Sequence, residues 1–197
     1  IYRDTRPKEV KGSIIVVPVM NMAAFEEATA YVCPIDSTGI GVPGNPEGTI
    51  SQIIGYRVLE DVVSKADYHI DLHGGDATEM EIPFAIYTKT GNAEMDKKSE
   101  TLAKLFGTEY IWIAYVRKAC GCLVEGWRYN LVYEAPLRGI PSAIGEAGEM
   151  GMYREEDISI HLRGVRNVMK YLKIIDGTST LPSKQTVFDK TFDVYTK

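Results

Sequence analysis

The chain has 197 residues, of which 45% are hydrophobic and 25% charged, and its net charge is −5 at pH 7. This is typical of one globular domain, or of a domain with a small appendage. The acidic balance argues against nucleic acid or an anionic membrane as a partner, and no apolar run reaches membrane-spanning length. The three cysteines, Cys33, Cys120 and Cys122, lack the Cys-x-x-Cys spacing of a zinc knuckle or a redox pair. We therefore predict free thiols and a cytoplasmic location.

The first part of the chain predicts strands that alternate with helices. The continuous β-branched run at residues 13–19 (SIIVVPV) is typical of a strand buried on both faces. A short helix is expected over 23–32, and the Gly- and Pro-rich stretch 33–48 is predicted as a loop. The capping-box pattern at 49–52 (TISQ) predicts a helix that ends near Lys65.

The second part continues the alternation. Further strands are predicted over 68–72, 83–87, 109–116 and 142–146, and further helices over 92–106, 126–137 and 155–172. Residues 176–184 have a linker-like composition, and a strand-like pattern resumes at 187–195. Together these elements indicate an α/β fold with a mixed, largely parallel central sheet flanked by helices.

The stretch ADYHIDLHGGD at 66–76 contains two histidines four residues apart. On a helix, His69 and His73 would share one face and could chelate zinc, but residue 70 is Ile where zinc proteases have a Glu. The glycine pair that follows favours a strand, on which the two histidines would lie about 13 Å apart, too far for one ion. We therefore predict that His69 is a hydrogen-bonded histidine of the sheet.

Asp71 and His73 remain as same-side neighbours at the end of this strand. Sites form at the carboxyl edge of open α/β sheets, and Gly74-Gly75 allows a sharp turn and leaves room for a ligand. A carboxylate beside a histidine suits the task of orienting the imidazole. From these residues alone, a metal or catalytic role for His73 and a structural role are equally open.

A second candidate lies in GEAGEMG at 145–151. Glu146 ends a short predicted strand between small neighbours, which is a suitable place for a general base. Glu149 competes for this role, and a loop with two surface glutamates is the plainer alternative.

Three places in the chain resemble the succinylglutamate desuccinylase/aspartoacylase family, which has a zinc-carboxypeptidase-like fold. They are residues 12–36, with GSIIVVPVMNMAAF and YVCPID, residues 66–76, and residues 139–148 (GIPSAIGEAG). The resemblance runs through most of residues 8–175. It implies a zinc-hydrolase-like α/β domain over 1–175, followed over 176–197 by a linker and the start of a C-terminal β domain.

The resemblance also implies a zinc-dependent amidohydrolase that hydrolyses an N-acyl amino acid or a similar small amide through a metal-activated water. His73 matches a zinc ligand, Glu146 matches the general acid/base, and Asp71 matches the aspartate of the Asp-x-His motif. The implied partners are one zinc ion and a small-molecule substrate, whose acyl group and amine are unspecified. A homo-oligomer stays open.

Two family features are not found in this sequence. The family's other two zinc ligands form a His-x-x-Glu pair ahead of the run at 13–19, so we expect a domain truncated at both ends. Whether these ligands lie upstream of Ile1 or are not encoded stays open. The loop at 37–44 lacks the family's Asn-Arg pair. Another arginine, a different substrate or omitted residues would each account for this. The second hypothesis is a catalytically inactive binding or assembly module with the same fold.

Overall fold

The structure is a computed structural model and describes residues 6–29, 32–75, 79–116 and 130–189. Its strands are β1 (Val32–Cys33), β2 (Thr38–Gly39), β3 (His69–His73), β4 (Phe84–Lys89), β5 (Tyr110–Tyr115), β6 (Ser142–Glu146) and β7 (Thr186–Phe188). β1 and β2 form a small antiparallel pair, and the other five form one sheet in the order β3-β6-β4-β5-β7. Only the β6–β4 pairing is antiparallel within that sheet, which confirms the predicted mixed, largely parallel arrangement.

The helices are α1 (Met22–Glu26), α2 (Ile50–Arg57), α3 (Ala93–Phe106), α4 (Leu131–Leu137) and α5 (Glu155–Tyr171). A short 3-10 turn, Pro7–Glu9, precedes α1, and α2 continues through a π-helical turn, Val58–Val62, and a 3-10 turn, Val63–Lys65. The predicted capping box is confirmed: the Thr49 hydroxyl accepts a hydrogen bond from the Gln52 amide, and the Gln52 side chain accepts one from the Thr49 amide. In the described ranges no helix combines the length and the apolar character needed to cross a membrane.

Helices cover both faces of the main sheet. On one face, α3 and α5 pack on the strands, with Phe106 against Tyr87 in the largest apolar cluster. On the other face, Val132 of α4 packs against Ile86. Tyr87 and Ile86 are neighbours in β4 and point to opposite faces, as the two-residue period of a strand requires. All five residues of β6 are buried between these layers, so its last residue, Glu146, is held by a rigid strand.

The prediction of a strand at residues 13–19 is wrong. These residues form no strand, and the side chains of Ile14, Ile15, Val16 and Val17 are exposed. A β-branched run becomes a strand only when a neighbouring strand supplies hydrogen bonds and packing. Within the described residues, β3 pairs with β6 alone, and the run at 13–19 pairs with no strand.

Two other N-terminal predictions need correction. The helix expected over 23–32 ends at Glu26, because the chain turns there and enters β1. The predicted loop at 33–48 contains β2, which folds back on β1 through a turn.

At the other end of the chain, β7 pairs in parallel with β5 and forms an edge of the main sheet. The strand-like pattern predicted at 187–195 therefore has a partner over its first residues, while residues from 190 onward lie outside the described ranges. The domain boundary near residue 175 stays a prediction. Cys33 is a buried free thiol, and Cys120 and Cys122 lie outside the described residues.

Candidate active site

The strand pair β3 and β6 brings His73 and Glu146 side by side. Each is the last residue of its strand, and the two are register partners in a parallel pair. Nδ1 of His73 lies 3.1 Å from Oε1 of Glu146. The carboxyl ends of adjacent strands meet here, at the edge where open α/β sheets form their sites.

Asp71 lies on the other side of the same imidazole. Its Oδ2 is 3.3 Å from Nε2 of His73, so the ring lies between two carboxylates. Burial alone would lower the pKa of His73, but the hydrogen bonds and charges of Asp71 and Glu146 outweigh it and raise that pKa to about 10. Burial likewise would raise the pKa of Asp71, but His73 holds it below its ordinary value. The two carboxyl groups therefore favour the protonated form of the His73 imidazole.

A cleft of about 260 Å³ opens at Asp71 and His73. This volume is close to the lower end of the range for small-molecule sites, roughly 300–1,000 Å³. The rest of its wall consists of Met20, Asn21, Gly39, Ile40, Val42, Asn130 and Leu131. This part of the wall thus comes from the segment before α1, the end of β2 with the loop after it, and the start of α4.

Two asparagines of this wall are not among the site residues predicted from the sequence. Asn21 caps α1 by accepting a hydrogen bond from the Ala24 amide, and Asn130 caps α4 by accepting one from the Val132 amide. An asparagine just before a helical pattern is a recognisable capping signal. The signal predicts a helix start, but it does not predict that two such starts face one cleft.

The glycine pair Gly74-Gly75 has a different use from the predicted one. A Cβ added to Gly74 would lie 3.2 Å from the Ala147 carbonyl oxygen, and one added to Gly75 would lie 2.9 Å from the Gly148 carbonyl oxygen. The amide of Gly75 donates a hydrogen bond to that Gly148 oxygen at 2.8 Å. The two glycines therefore allow the backbone that follows Glu146 to approach closely. The sequence had instead suggested that they leave room for a ligand.

Glu149, the other candidate base, has a different partner. Its Oε1 accepts a hydrogen bond from Nη1 of Arg154 at 2.7 Å, and Arg154 also donates to Asp157. Of the two glutamates, Glu146 is therefore the one that contacts His73.

His69 lies at the opposite end of β3 from His73. Its Nδ1 is 2.8 Å from the Ser142 hydroxyl, and the two residues are register partners. Burial lowers the pKa of His69, against the opposing charge of Asp71. The prediction that His69 is a hydrogen-bonded histidine of the sheet is confirmed.

The described residues do not complete a metal site by themselves. Within those ranges, no group of three or more His, Cys, Asp or Glu is arranged to hold an ion. Both ring nitrogens of His73 face carboxylates, so one carboxylate would have to move for a nitrogen to bind a metal. Asp76 lies outside the described residues.

The chain is similar to known deacylases in sequence and in fold, although no family model matches it. The N-alpha-acetyl-L-2,4-diaminobutyric acid deacetylase of Halomonas elongata is 26% identical over 187 residues, 93% of this chain and 52% of that protein. A succinylglutamate desuccinylase/aspartoacylase structure from Rhodobacter sphaeroides is 25% identical, with a TM-score of 0.78, over 91% of this chain and 51% of that one. A succinylglutamate desuccinylase structure from Silicibacter sp. TM1040 is 25% identical, with a TM-score of 0.81, over 98% of this chain and 56% of that one.

The chain spans about half the length of these proteins. The matches cover nearly all of this chain. The sequence resemblance is thus confirmed, and the chain is a structural relative of the succinylglutamate desuccinylase/aspartoacylase family.

Proposed function

We propose that this chain belongs to a deacylase that hydrolyses the amide bond of an N-acyl amino acid or a similar small amide. The observation that carries the proposal is the contact between Glu146 and His73, which lines the cleft. The similarity to a deacetylase over 93% of the chain supports it.

Glu146 is the proposed general base. Its side chain is only 10% exposed and belongs to the last residue of a strand that is buried along its whole length, so the backbone that carries the carboxylate is held in place. A carboxylate held in this way can take a proton from an attacking water and return it to the leaving amine. Glu149 is less suited, because Arg154 holds its carboxylate in an ion pair.

Asp71 is proposed to orient the imidazole of His73. When a metal binds, Nδ1 would lose its proton and gain a free lone pair, while Nε2 keeps its proton and donates it to Asp71. This tautomer makes Nδ1 available as a ligand atom on the side of the ring that faces Glu146.

The proposal includes one zinc ion, with His73 as one ligand and the others from outside the described residues. When bound, zinc would supply Lewis-acid polarisation of the scissile carbonyl and would make water more acidic. The cytoplasmic location stays a prediction, and the oligomeric state stays open.

The test is an assay of the full-length protein on a panel of N-acetyl and N-succinyl amino acids with acidic, neutral and basic side chains. We expect about one zinc per chain by elemental analysis, as one site of this type holds one ion. Amine release should be lost on chelation and restored by added zinc. A zinc-loaded protein that releases no amine from any member of the panel would refute the deacylase and leave the binding or assembly module as the better hypothesis.

A further inference from the structure

His161 of α5 holds the backbone that follows Glu146. Its Nε2 lies 3.0 Å from the carbonyl oxygen of Ala147. A carbonyl can only accept a hydrogen bond, so Nε2 must carry the proton. Nδ1 of the same ring is buried and has no hydrogen-bond partner in the described part of the chain. A proton on Nδ1 would therefore be a buried, unsatisfied donor, and the neutral Nε2–H tautomer is the form that fits.

The ring of His161 is also held in place by packing. It meets the buried Phe106 edge to face, with 5.9 Å between ring centroids and 77° between ring planes. Phe106 in turn fills the space next to Gly164, one turn along α5, and next to Gly145, the residue before Glu146. This contact fixes the imidazole relative to both α5 and β6.

Ala147 connects this contact to the site. Its amide donates a hydrogen bond to the carbonyl oxygen of His73 at 3.2 Å, while its own carbonyl accepts from His161. The two peptide planes on either side of Ala147 are thus each held, one by β3 and the other by α5. The first of these planes is shared with Glu146.

We propose that His161 is a positioning residue that sets the direction of the Glu146 carboxylate through the Ala147 backbone. The effect of His161 on turnover rests on the proposed function, whereas the effect of His161 on the Ala147 backbone does not. The hydrogen-bond donor is the essential feature of His161 in this role, and the aromatic ring alone is not sufficient.

The first measurement uses the wild-type, full-length protein and needs no substitution. Imidazole ¹⁵N spectra of selectively labelled protein distinguish the two neutral tautomers of His161. The proposal requires Nε2–H, and an Nδ1–H tautomer would overturn it.

The second measurement compares three variants. His161→Phe keeps a ring against Phe106 and removes the donor, His161→Gln keeps a donor near the position of Nε2, and Ser159→Ala is an exposed control on the same helix. We expect the Ala147 amide of His161→Phe to exchange with solvent about 10-fold faster than in wild type or more, with exchange in the core of β4 unchanged. His161→Gln should restore most of the protection, and Ser159→Ala should behave as wild type. Unchanged Ala147 exchange in His161→Phe, or no recovery in His161→Gln, would overturn the proposal.

In the enzyme assay, His161→Phe should lower kcat about 10-fold or more with KM within about twofold, because misplacing a reacting group affects chemistry more than binding. His161→Gln should recover most of that loss. A wild-type protein without deacylase activity would refute the proposed function, while the tautomer and the Ala147 exchange rate would still decide the role of His161.

Discussion

His73 and Glu146 end adjacent parallel strands, and the register of these strands places Nδ1 of His73 3.1 Å from Oε1 of Glu146. A shift of one residue in this pairing would turn one of the two side chains to the opposite face of the sheet. The contact therefore depends on the register of β3 against β6. The burial of every residue of β6 stabilises that register.

Replacement of Glu146 tests the assignment of the general base. Glu146→Gln keeps the size of the side chain but removes the basic carboxylate, so we expect turnover to fall at least about 100-fold, with zinc content unchanged. Glu149→Gln is the matched control, since its carboxylate is paired with Arg154, and we expect a loss of less than about tenfold. The rate of amine release at saturating substrate measures the turnover of both variants. If Glu146→Gln keeps near-normal turnover, the base lies elsewhere and Glu149 is the first alternative.

Replacement of His73 tests its proposed role as a metal ligand. His73→Ala removes the imidazole from the cleft and should lower the zinc content of the purified full-length protein well below that of wild type. His69→Gln is the control, because His69 bonds Ser142 at the other end of β3 and should leave the zinc content unchanged. Elemental analysis after dialysis measures the effect. Equal zinc content in His73→Ala and wild type would remove His73 from the ligand set.

Replacement of Gly145 tests the packing beneath the site. A Cβ at this position would lie 1.9 Å from the ring of Phe106, so we expect Gly145→Ala to lower the free energy of unfolding by about 3 kcal/mol or more. Phe106→Leu would relieve the overlap at its own cost in packing. In urea unfolding, the double variant should lose less unfolding free energy than the sum of the losses in the two single variants, by at least about 1 kcal/mol. Additive losses would show that overlap with the Phe106 ring is not the cause of the destabilisation by Gly145→Ala.

Replacement of Asp36 tests a carboxylate in the turn between β1 and β2. The Ser51 amide donates to Asp36 and holds its pKa well below the ordinary value near 3.8, against the opposing effect of burial and with further hydrogen bonds from Thr49, Ser51 and Thr38. Because the folded-state pKa is lowered, the stabilisation is complete above about pH 5 and is lost as the pH falls further. We expect Asp36→Asn to be less stable than wild type at pH 7.

The difference between wild type and Asp36→Asn should narrow as urea unfolding is repeated from pH 5 down to about pH 3. Asp61→Asn is the control, since Asp61 forms an exposed pair with Arg57, and it should change stability little at any pH. A difference between wild type and Asp36→Asn that does not vary with pH would contradict the assignment.

Local patterns in the sequence predicted several features correctly. The capping box at Thr49 and Gln52, the strand that ends at Glu146 and the separation of His69 from His73 each depend on residues close together in the chain. Capping hydrogen bonds span one helical turn, and the two-residue period of a strand relates neighbouring residues. Both depend only on residues close together in the chain, so the sequence by itself determines them.

Tertiary structure decided the features that join distant segments. The pairing of His73 with Glu146, the presence of Asn21 and Asn130 in one cleft, and the hydrogen bond from His161 to Ala147 all connect separate parts of the chain. The residues at 13–19 illustrate the same point, because their β-branched composition indicates a capacity to form a strand but does not specify a partner. Strand partners and register are set by hydrogen bonds and packing between segments, and these depend on the whole fold.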